Sequence, residues 1–160
     1  MIHLIVTTIN SDFNKDIYKS ITKEKKTWKK NLNKVKAFTS GNLPRKQYFK
    51  TLSDDIIKTL KEHNGNNYEM VKWWANYYEK GHHTIKHNHT GEDISSILIV
   101  KGSKYNPLTF YDKSGEKIKI VEKDGLLLIF EGHVEHSVDV CKDSRVTLAM
   151  DFRLYSDKNI

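Results

Sequence analysis

The sequence predicts a mainly β fold, a barrel or a sandwich, with helices at its N-terminal end. From about residue 68 onward the chain consists of short stretches rich in β-branched and aromatic residues, which favour strands. Turn-forming pairs such as Lys80-Gly81, Ser114-Gly115 and Asp124-Gly125 separate these stretches. Eight short strands in succession are typical of a barrel or sandwich. We expect them near residues 69–79, 84–89, 94–101, 107–111, 117–122, 125–130, 133–140 and 145–154.

The last of these predicted strands has the clearest alternation of side chains. Because successive residues of a strand point to opposite faces, its residues divide into two sets. One set is apolar and suits a core, whereas the other begins with a guanidinium and two small residues, which suits the wall of a cavity. The first set is Val146, Leu148, Met150, Phe152 and Leu154, and the second is Arg145, Thr147, Ala149, Asp151 and Arg153.

Two helices are predicted in the first 69 residues. Ser11 has the character of an N-cap for a helix that runs to about Ser20, and Ser53 that of an N-cap for a second helix over 54–63. The other N-terminal predictions are a strand within 1–9, a weak helix or loop over 22–38, a turn at 40–44 and a helix end at 64–67.

The composition excludes several classes of protein. With 160 residues, of which 38% are hydrophobic and 29% charged, the chain has the size and balance of one globular domain. No apolar run approaches the roughly 18 residues that a membrane span needs. The single cysteine, Cys141, excludes a disulfide scaffold, and the N-terminal residues lack the features of a signal peptide. We therefore expect a cytoplasmic protein with no membrane partner.

The net charge of +7 is concentrated in the N-terminal half. Residues 15–50 contain 12 lysines and arginines but only Asp16 and Glu24 as acids. Such a block suits binding to nucleic acid or to an acidic partner, or forms a solvated helix face. The excess of lysine over arginine favours the solvated face, because proteins that read bases rely on the planar guanidinium.

Six of the eight histidines lie between residues 82 and 136. His87 and His89 are two residues apart on a predicted strand, so both imidazoles are expected to reach the same point. His136 alternates with Val134, Val138 and Val140, so it is expected to face the same way as three apolar side chains. A neutral, metal-bound imidazole suits that position better than a charged one. Three histidines with open positions beside them predict a catalytic metal site for iron, zinc, copper or nickel.

Several short motifs resemble those of small 2-oxoglutarate/Fe(II)-dependent oxygenases. The resemblance covers about residues 70–154. It rests on Trp74-Ala-Asn76-Tyr-Tyr-Glu-Lys-Gly81, His87-Asn-His89, Ser95-Ser96, Gly125-Leu-Leu-Leu-Ile-Phe130, Val134-Glu-His136 and Arg145-Val-Thr147. It implies a double-stranded β-helix, that is, a jelly-roll or cupin-like fold. The chain is then a single domain over 1–160, with a basic N-terminal strand and supporting helices over 1–69 and the double-stranded β-helix over 70–155.

The resemblance also implies the chemistry of the site. Fe(II) would be bound by His87, His89 and His136. Arg145, nine residues after the last histidine, would pair with the far carboxylate of 2-oxoglutarate, as a guanidinium does with carboxylates. Asn76, Tyr77 and Thr147 would complete the co-substrate site. The implied function is that of an oxidoreductase, a dioxygenase that uses 2-oxoglutarate and O2 to hydroxylate an unidentified substrate.

The third metal ligand is where the sequence departs from the most familiar pattern, in which Asp or Glu stands two residues after the first histidine. Here that residue is His89, and Glu92 or Asp93 is the alternative ligand if the loop curls back. A three-histidine cupin dioxygenase that needs no 2-oxoglutarate is a second interpretation. A non-catalytic jelly-roll module that binds nucleic acid or an acidic partner is a third. The arginine-rich signature of AlkB-type nucleic-acid demethylases is not found after His136.

Overall fold

The computed structural model describes residues 3–30, 34–41 and 47–155, which form two antiparallel β-sheets and two α-helices. The helices are α1 (Ser11–Glu24), which a 3-10 turn follows at Lys25–Thr27, and α2 (Gln47–Asn64). The strands are β1 (Leu4–Thr8), β2 (Lys29–Lys30), β3 (Val35–Lys36), β4 (Phe38–Thr39), β5 (Tyr68–Tyr78), β6 (His83–His87), β7 (Ile94–Lys101), β8 (Leu108–Tyr111), β9 (Lys117–Lys119), β10 (Leu126–Glu131), β11 (Glu135–Val138) and β12 (Arg145–Leu154).

The strands β5 to β12 are the eight predicted from the sequence, and they divide evenly between the two sheets. The larger sheet has the order β1-β10-β7-β12-β5-β4-β2, and the smaller has the order β3-β6-β11-β8-β9. Successive strands from β5 onward therefore lie alternately in one sheet and the other, apart from the β8–β9 hairpin. Two facing sheets of this kind enclose an interior in which side chains from several strands converge.

The alternation predicted for β12 is confirmed. Its apolar residues from Val146 to Phe152 belong to a core that also includes buried residues of α1 and α2. Arg145, Thr147 and Ala149 face the space between the two sheets, where a second core cluster lies. The last two residues, Arg153 and Leu154, do not follow this division into a core face and a cavity face, because Leu154 is half exposed at the strand end. The helices thus cover the outer face of the larger sheet and leave its inner face to the site.

The N-terminal part of the chain is more tightly joined to the β structure than predicted. β1 pairs with β10, and β4 pairs with β5, so both extend the larger sheet. β3 pairs with β6 at the edge of the smaller sheet. Residues 22–38, predicted as a weak helix or loop, contain the end of α1, the 3-10 turn and β2 to β3, except at 31–33, which lie outside the described residues. No helix in the described ranges is long and apolar enough to cross a membrane.

Both predicted N-caps are wrong, although α1 does begin at Ser11. Asn10, not Ser11, caps α1, because its Oδ1 accepts hydrogen bonds from the backbone N–H groups of Asp12 and Phe13 at 2.9 and 3.1 Å. Ser53 lies inside α2, where its hydroxyl donates to the carbonyl oxygen of Lys50. The predicted turn at 40–44 lies outside the described residues from 42 onward. The helix end near residue 64 is confirmed by Gly65, whose φ is +76°.

The cap of α1 yields a prediction about stability. Replacing Asn10 by Ala removes the acceptor for two N–H groups, so the free energy of unfolding should fall by about 1 kcal/mol. Ser11→Ala is the matched control, and it should leave stability unchanged within about 0.5 kcal/mol. Urea unfolding of the two variants measures the difference. Equal losses in both variants would contradict the assignment of Asn10 as the cap.

Candidate functional site

Two strands of the smaller sheet bring three histidines together. His87 ends β6 and lies directly opposite His136 of β11 in the strand pair. His89 lies two residues further on, in the turn after β6, and not on the strand itself as predicted. One ring nitrogen of each of these histidines lies within 4.8 Å of those of the other two. The three predicted metal ligands are therefore brought to one point.

Hydrogen bonds at Nδ1 determine which nitrogen of each ring is available. In His87 and His136, Nδ1 faces the backbone carbonyl oxygen two residues earlier in the chain, at 2.8 and 3.2 Å. In His89, Nδ1 lies 2.8 Å from Oδ1 of Asp151. Carbonyl and carboxylate oxygens only accept hydrogen bonds, so each neutral ring carries its proton on Nδ1. All three Nε2 lone pairs are consequently free to bind a metal ion.

The surroundings of His136 and His87 favour neutral imidazoles. His136 is only 4% exposed, and it packs against the rings of Phe110 and Phe130. Burial lowers its pKa to about 3, and the neighbouring His87 and His89 add to the effect. Burial also lowers the pKa of His87. Val138 is buried like His136, as predicted, but Val140 is exposed because β11 ends before it.

A close backbone contact fixes the turn that carries His89. The N–H of His89 donates to the carbonyl oxygen of Gly132 at 2.8 Å, and the N–H of Gly132 donates to that of Asp93 at 3.0 Å. A Cβ atom on Gly132 would lie only 2.1 Å from the backbone oxygen of Glu92. Gly132 therefore allows the end of β10 to approach the turn closely enough to hold it.

The alternative ligands Glu92 and Asp93 lie outside the cluster. The buried carboxylate of Glu92 forms ion pairs with Lys72 at 2.6 Å and with Arg153 at 2.7 Å. Burial acts to raise the pKa of Glu92, but the two cations outweigh it and lower the pKa. Asp93 accepts a hydrogen bond from the backbone N–H of Leu154 at 2.8 Å. Both carboxylates thus tie the His89 turn to neighbouring strands.

Arg145 is buried and has a protein partner that the sequence analysis did not identify. Its Nε donates to both carboxylate oxygens of Glu122, at 2.7 and 3.0 Å, and both side chains are at most 1% exposed. The N–H of Ser103 donates to the same carboxylate. Nη2 of Arg145, by contrast, is buried without a partner in the described part of the chain. An unsatisfied charged donor of this kind is costly, so this end of the guanidinium suits an anionic ligand.

A small inner cavity of about 40 Å³ lies between the sheets. Its wall includes all three histidines of the cluster and Arg145. Asn76 and Thr147, two of the residues predicted at the co-substrate, also line it. They are cross-strand partners on β5 and β12, and Thr39 donates to the amide oxygen of Asn76 at 3.0 Å. The cavity thus has three histidines and a buried arginine in a wall that is otherwise largely apolar.

Tyr77, the other residue predicted at the co-substrate, lies elsewhere. It is on the opposite face of β5, where it packs against the core beneath the helices, and Lys25 lies over its ring. Its neighbour Tyr78 lines the inner cavity instead and forms a 2.7 Å hydrogen bond with the hydroxyl of Thr84. Adjacent residues of a strand face opposite sides, so Asn76 and Tyr77 are unable to share the cavity.

An open cleft of about 430 Å³ lies outside the histidines. The indole of Trp74 forms part of both the cleft and the inner cavity and stacks on His89, with ring centroids 5.6 Å apart. The cleft gives a larger molecule access to the histidines. Its wall includes Lys34, Val35, Thr39, Lys72, Asn88, Thr90 and Glu92.

The same fold occurs in solved structures of prolyl hydroxylases and other oxygenases. A prolyl-4-hydroxylase from Pseudomonas putida superposes with a TM-score of 0.78 over 96% of this chain and 93% of that one, at 12% identity. A Trichoplax adhaerens prolyl hydroxylase, in complex with a peptide fragment of hypoxia inducible factor, gives 0.77 over 94% and 83%, at 14% identity. HygX from Streptomyces hygroscopicus, with nickel and 2-oxoglutarate bound, gives 0.72 over 94% and 82%, at 8% identity.

These similarities confirm the double-stranded β-helix that the sequence motifs implied. No family model matches the chain, and no curated protein matches it in sequence. A fold of this kind hosts different reactions, so the residues of the site determine the chemistry.

The low pKa of His136 predicts how the metal-free protein responds to acid. The unfolded chain takes up a proton on this residue near pH 6.5, whereas the folded protein does so only near pH 3. Stability from this residue is therefore complete above pH 6.5 and falls as the pH decreases towards 3. Thermal melts of His136→Asn should show a weaker decrease over this window than the wild type. His63→Asn, at an exposed histidine, is the control and should behave like the wild type. A decrease in the stability of His136→Asn as large as that of the wild type would contradict the prediction.

The contact at Gly132 predicts that a single methyl group disturbs the metal site. Gly132→Ala should displace the His89 turn and weaken the binding of Co(II), which reports on the site without redox chemistry. We expect a loss of at least tenfold, as for other changes around metal ligands. Gly115→Ala, in the distant β8–β9 turn, is the control for the effect of adding a side chain at a turn glycine. Unchanged Co(II) affinity in a folded Gly132→Ala protein would refute the role of this contact.

Proposed function

We propose that this protein is an Fe(II)/2-oxoglutarate-dependent oxygenase that hydroxylates a substrate bound in the open cleft. One observation carries the proposal. The three clustered histidines line the same inner cavity as Arg145, whose Nη2 is buried without a partner in the described part of the chain. A metal ion would satisfy the histidines, and a small molecule bound to that ion would satisfy the guanidinium with its carboxylate.

The donor set fits iron. Three neutral imidazoles from one side leave coordination positions open on the other, as in non-haem iron sites. His87, His89 and His136 would hold the ion, and their Nδ1 hydrogen bonds keep the rings oriented for it. When bound, iron would activate O2 as the oxidant, with 2-oxoglutarate oxidised together with the substrate, while the protein would supply ligation, orientation and a shielded cavity.

The co-substrate would lie in the inner cavity. Arg145 would bind its far carboxylate through the free end of the guanidinium, with Glu122 holding the other edge in place. Thr147 and Asn76 line the same space, and Tyr78 takes the place proposed for Tyr77. The cavity of about 40 Å³ has room for only a few water molecules, so side chains in its wall have to move apart when the co-substrate binds.

The substrate would approach through the cleft. Two of the three similar structures named above are prolyl hydroxylases, and one of them was solved with a peptide fragment. A cleft of about 430 Å³, with Trp74 on its floor and Lys34 and Lys72 on its wall, admits part of a polymer as readily as a small molecule. Binding of nucleic acid or of an acidic partner through residues 15–50 stays a prediction of the sequence.

A second candidate is a three-histidine metal dioxygenase that does not use 2-oxoglutarate. Two observations favour it. All three ligand positions are imidazoles, and Glu122 already balances the charge of Arg145 without any co-substrate. The two candidates differ in whether a 2-oxo acid binds beside the metal.

Anaerobic titration separates these candidates. Fe(II) should bind to the metal-free protein with a stoichiometry of one, and subsequent addition of 2-oxoglutarate should produce a visible metal-to-ligand charge-transfer band. Iron binding without the band supports the second candidate. Absence of iron binding would refute both and leave the non-catalytic jelly-roll module.

Removing the guanidinium tests the co-substrate site. Because a lone Glu122 carboxylate would be buried without its partner, Arg145→Met is combined with Glu122→Gln. We expect the double variant to keep its metal affinity and to bind 2-oxoglutarate about ten- to a hundredfold more weakly, the loss expected for a charge-assisted hydrogen bond. Glu122→Gln alone keeps the guanidinium and is the matched control. Wild-type affinity for 2-oxoglutarate in the double variant would exclude Arg145 as its ligand.

A further inference from the structure

Asp151 is distinct from the other groups that orient the three histidines. His87 and His136 donate from Nδ1 to backbone carbonyl oxygens, which are neutral. His89 alone donates to a carboxylate, at 2.8 Å, and it occupies the position where a carboxylate ligand stands in the most familiar iron sites. The hydroxyl of Ser95 donates to the same oxygen of Asp151 at 2.7 Å. A negative charge is therefore present at the site, but it is on Asp151, which is hydrogen-bonded to the expected ligand His89, and not on the ligand itself.

The carboxylate of Asp151 has no counter-ion from a lysine or arginine in the described ranges. It is only 2% exposed, and its hydrogen-bond donors are His89 and Ser95. Lys72 lies opposite it in the β5–β12 pair, but its ammonium group is bound to Glu92 at 2.6 Å. A buried carboxylate without a compensating cation is strongly unfavourable. A positive charge is therefore expected on the far side of His89, where ring nitrogens of the three histidines lie within 4.8 Å of one another.

We propose that Asp151 is a positioning residue for the metal centre and supplies, through His89, the negative charge that a carboxylate ligand otherwise supplies directly. This inference rests on the proposed function only in requiring a divalent metal at the three histidines. Three neutral imidazoles leave the full 2+ charge on the ion, whereas a buried carboxylate hydrogen-bonded to one of them reduces the net charge of the site to 1+. The carboxylate also increases the basicity of His89 as a ligand and fixes the orientation of its ring.

The arrangement is held by the larger sheet. Asp151 and Ser95 are cross-strand partners on β12 and β7, so their separation is set by the ladder of backbone hydrogen bonds. The His89 turn reaches this pair from the smaller sheet, where Gly132 holds it. Asp151 thus belongs to the larger sheet and His89 follows a strand of the smaller one, so the hydrogen bond between them joins the two sheets.

The binding of Co(II) to the metal-free protein tests the proposal. Asp151→Asn keeps the shape of the side chain and removes its charge, so Co(II) affinity should fall ten- to a hundredfold. The visible d–d bands of the saturated variant should differ from those of the wild type, because the field of His89 is changed. Asp143→Asn is the matched control, since Asp143 likewise accepts from a serine hydroxyl, that of Ser103, but is not hydrogen-bonded to a histidine. It should bind Co(II) as the wild type does.

A double-mutant cycle separates this role from a general structural one. In the background His89→Asp the carboxylate ligand is restored, and Asp151 no longer has an imidazole to act through. Asp151→Asn should then cost no Co(II) affinity, or should increase it by removing a neighbouring like charge. An equal loss in both backgrounds would overturn the proposal.

The remaining outcomes are also decisive. Wild-type protein that binds no Co(II), Ni(II) or Fe(II) would refute the metal site and with it this inference. Wild-type protein that binds metal while Asp151→Asn binds it equally well would refute only the role of Asp151. If Asp151→Asn does not fold, Ser95→Ala takes its place, because it loosens the carboxylate without removing it. A several-fold loss of Co(II) affinity supports the proposal, and unchanged affinity overturns it.

Discussion

The antiparallel pairing of β6 with β11 places His87 directly opposite His136, and the rest of the site is arranged around that pair. The register of these two short strands sets the separation of the two imidazoles, so no further segment is needed to bring them together. His89 joins them only because Gly132 lets the following turn lie against the end of β10. A shift of one residue in this register would send His136 to the outside of the sheet. Two hydrophobic core clusters, one on each face of the larger sheet, stabilise this register.

The interior between the sheets is polar at two places and apolar between them. Glu122 and Arg145 form a buried ion pair at one of these, and the hydrogen bond between His89 and Asp151 lies at the other. Ile97, Leu108 and Ala149 line the cavity as well and have no polar side-chain atoms. Such an arrangement favours a short ligand with different groups at its two ends, since one end has the ring nitrogens of three histidines and the other the unpartnered Nη2 of Arg145.

The alternation of side chains in β12 predicted the two faces of that strand, because a period of two has a direct geometric meaning there. His87 and His89 do lie close together as expected from their two-residue spacing, although His89 is in the turn after β6 and not on the strand. Contacts between distant segments were not predictable. Glu122 is 23 residues from Arg145 and lies outside any strand, so no pattern linked the two. Tyr77 illustrates a different failure, because assigning it to the site together with Asn76 contradicts the alternation of β5. The caps of the helices were misplaced by one and by several residues, since Ser, Asn and Asp compete for the same position.

The two cavities share part of their walls, namely Val35, Trp74, His87 and His89, and they therefore meet at the histidines. A molecule lying in the open cleft covers this meeting point. A group held in the inner cavity and a group held in the cleft therefore face the same imidazoles of His87 and His89, with the indole of Trp74 in the wall that the two spaces share.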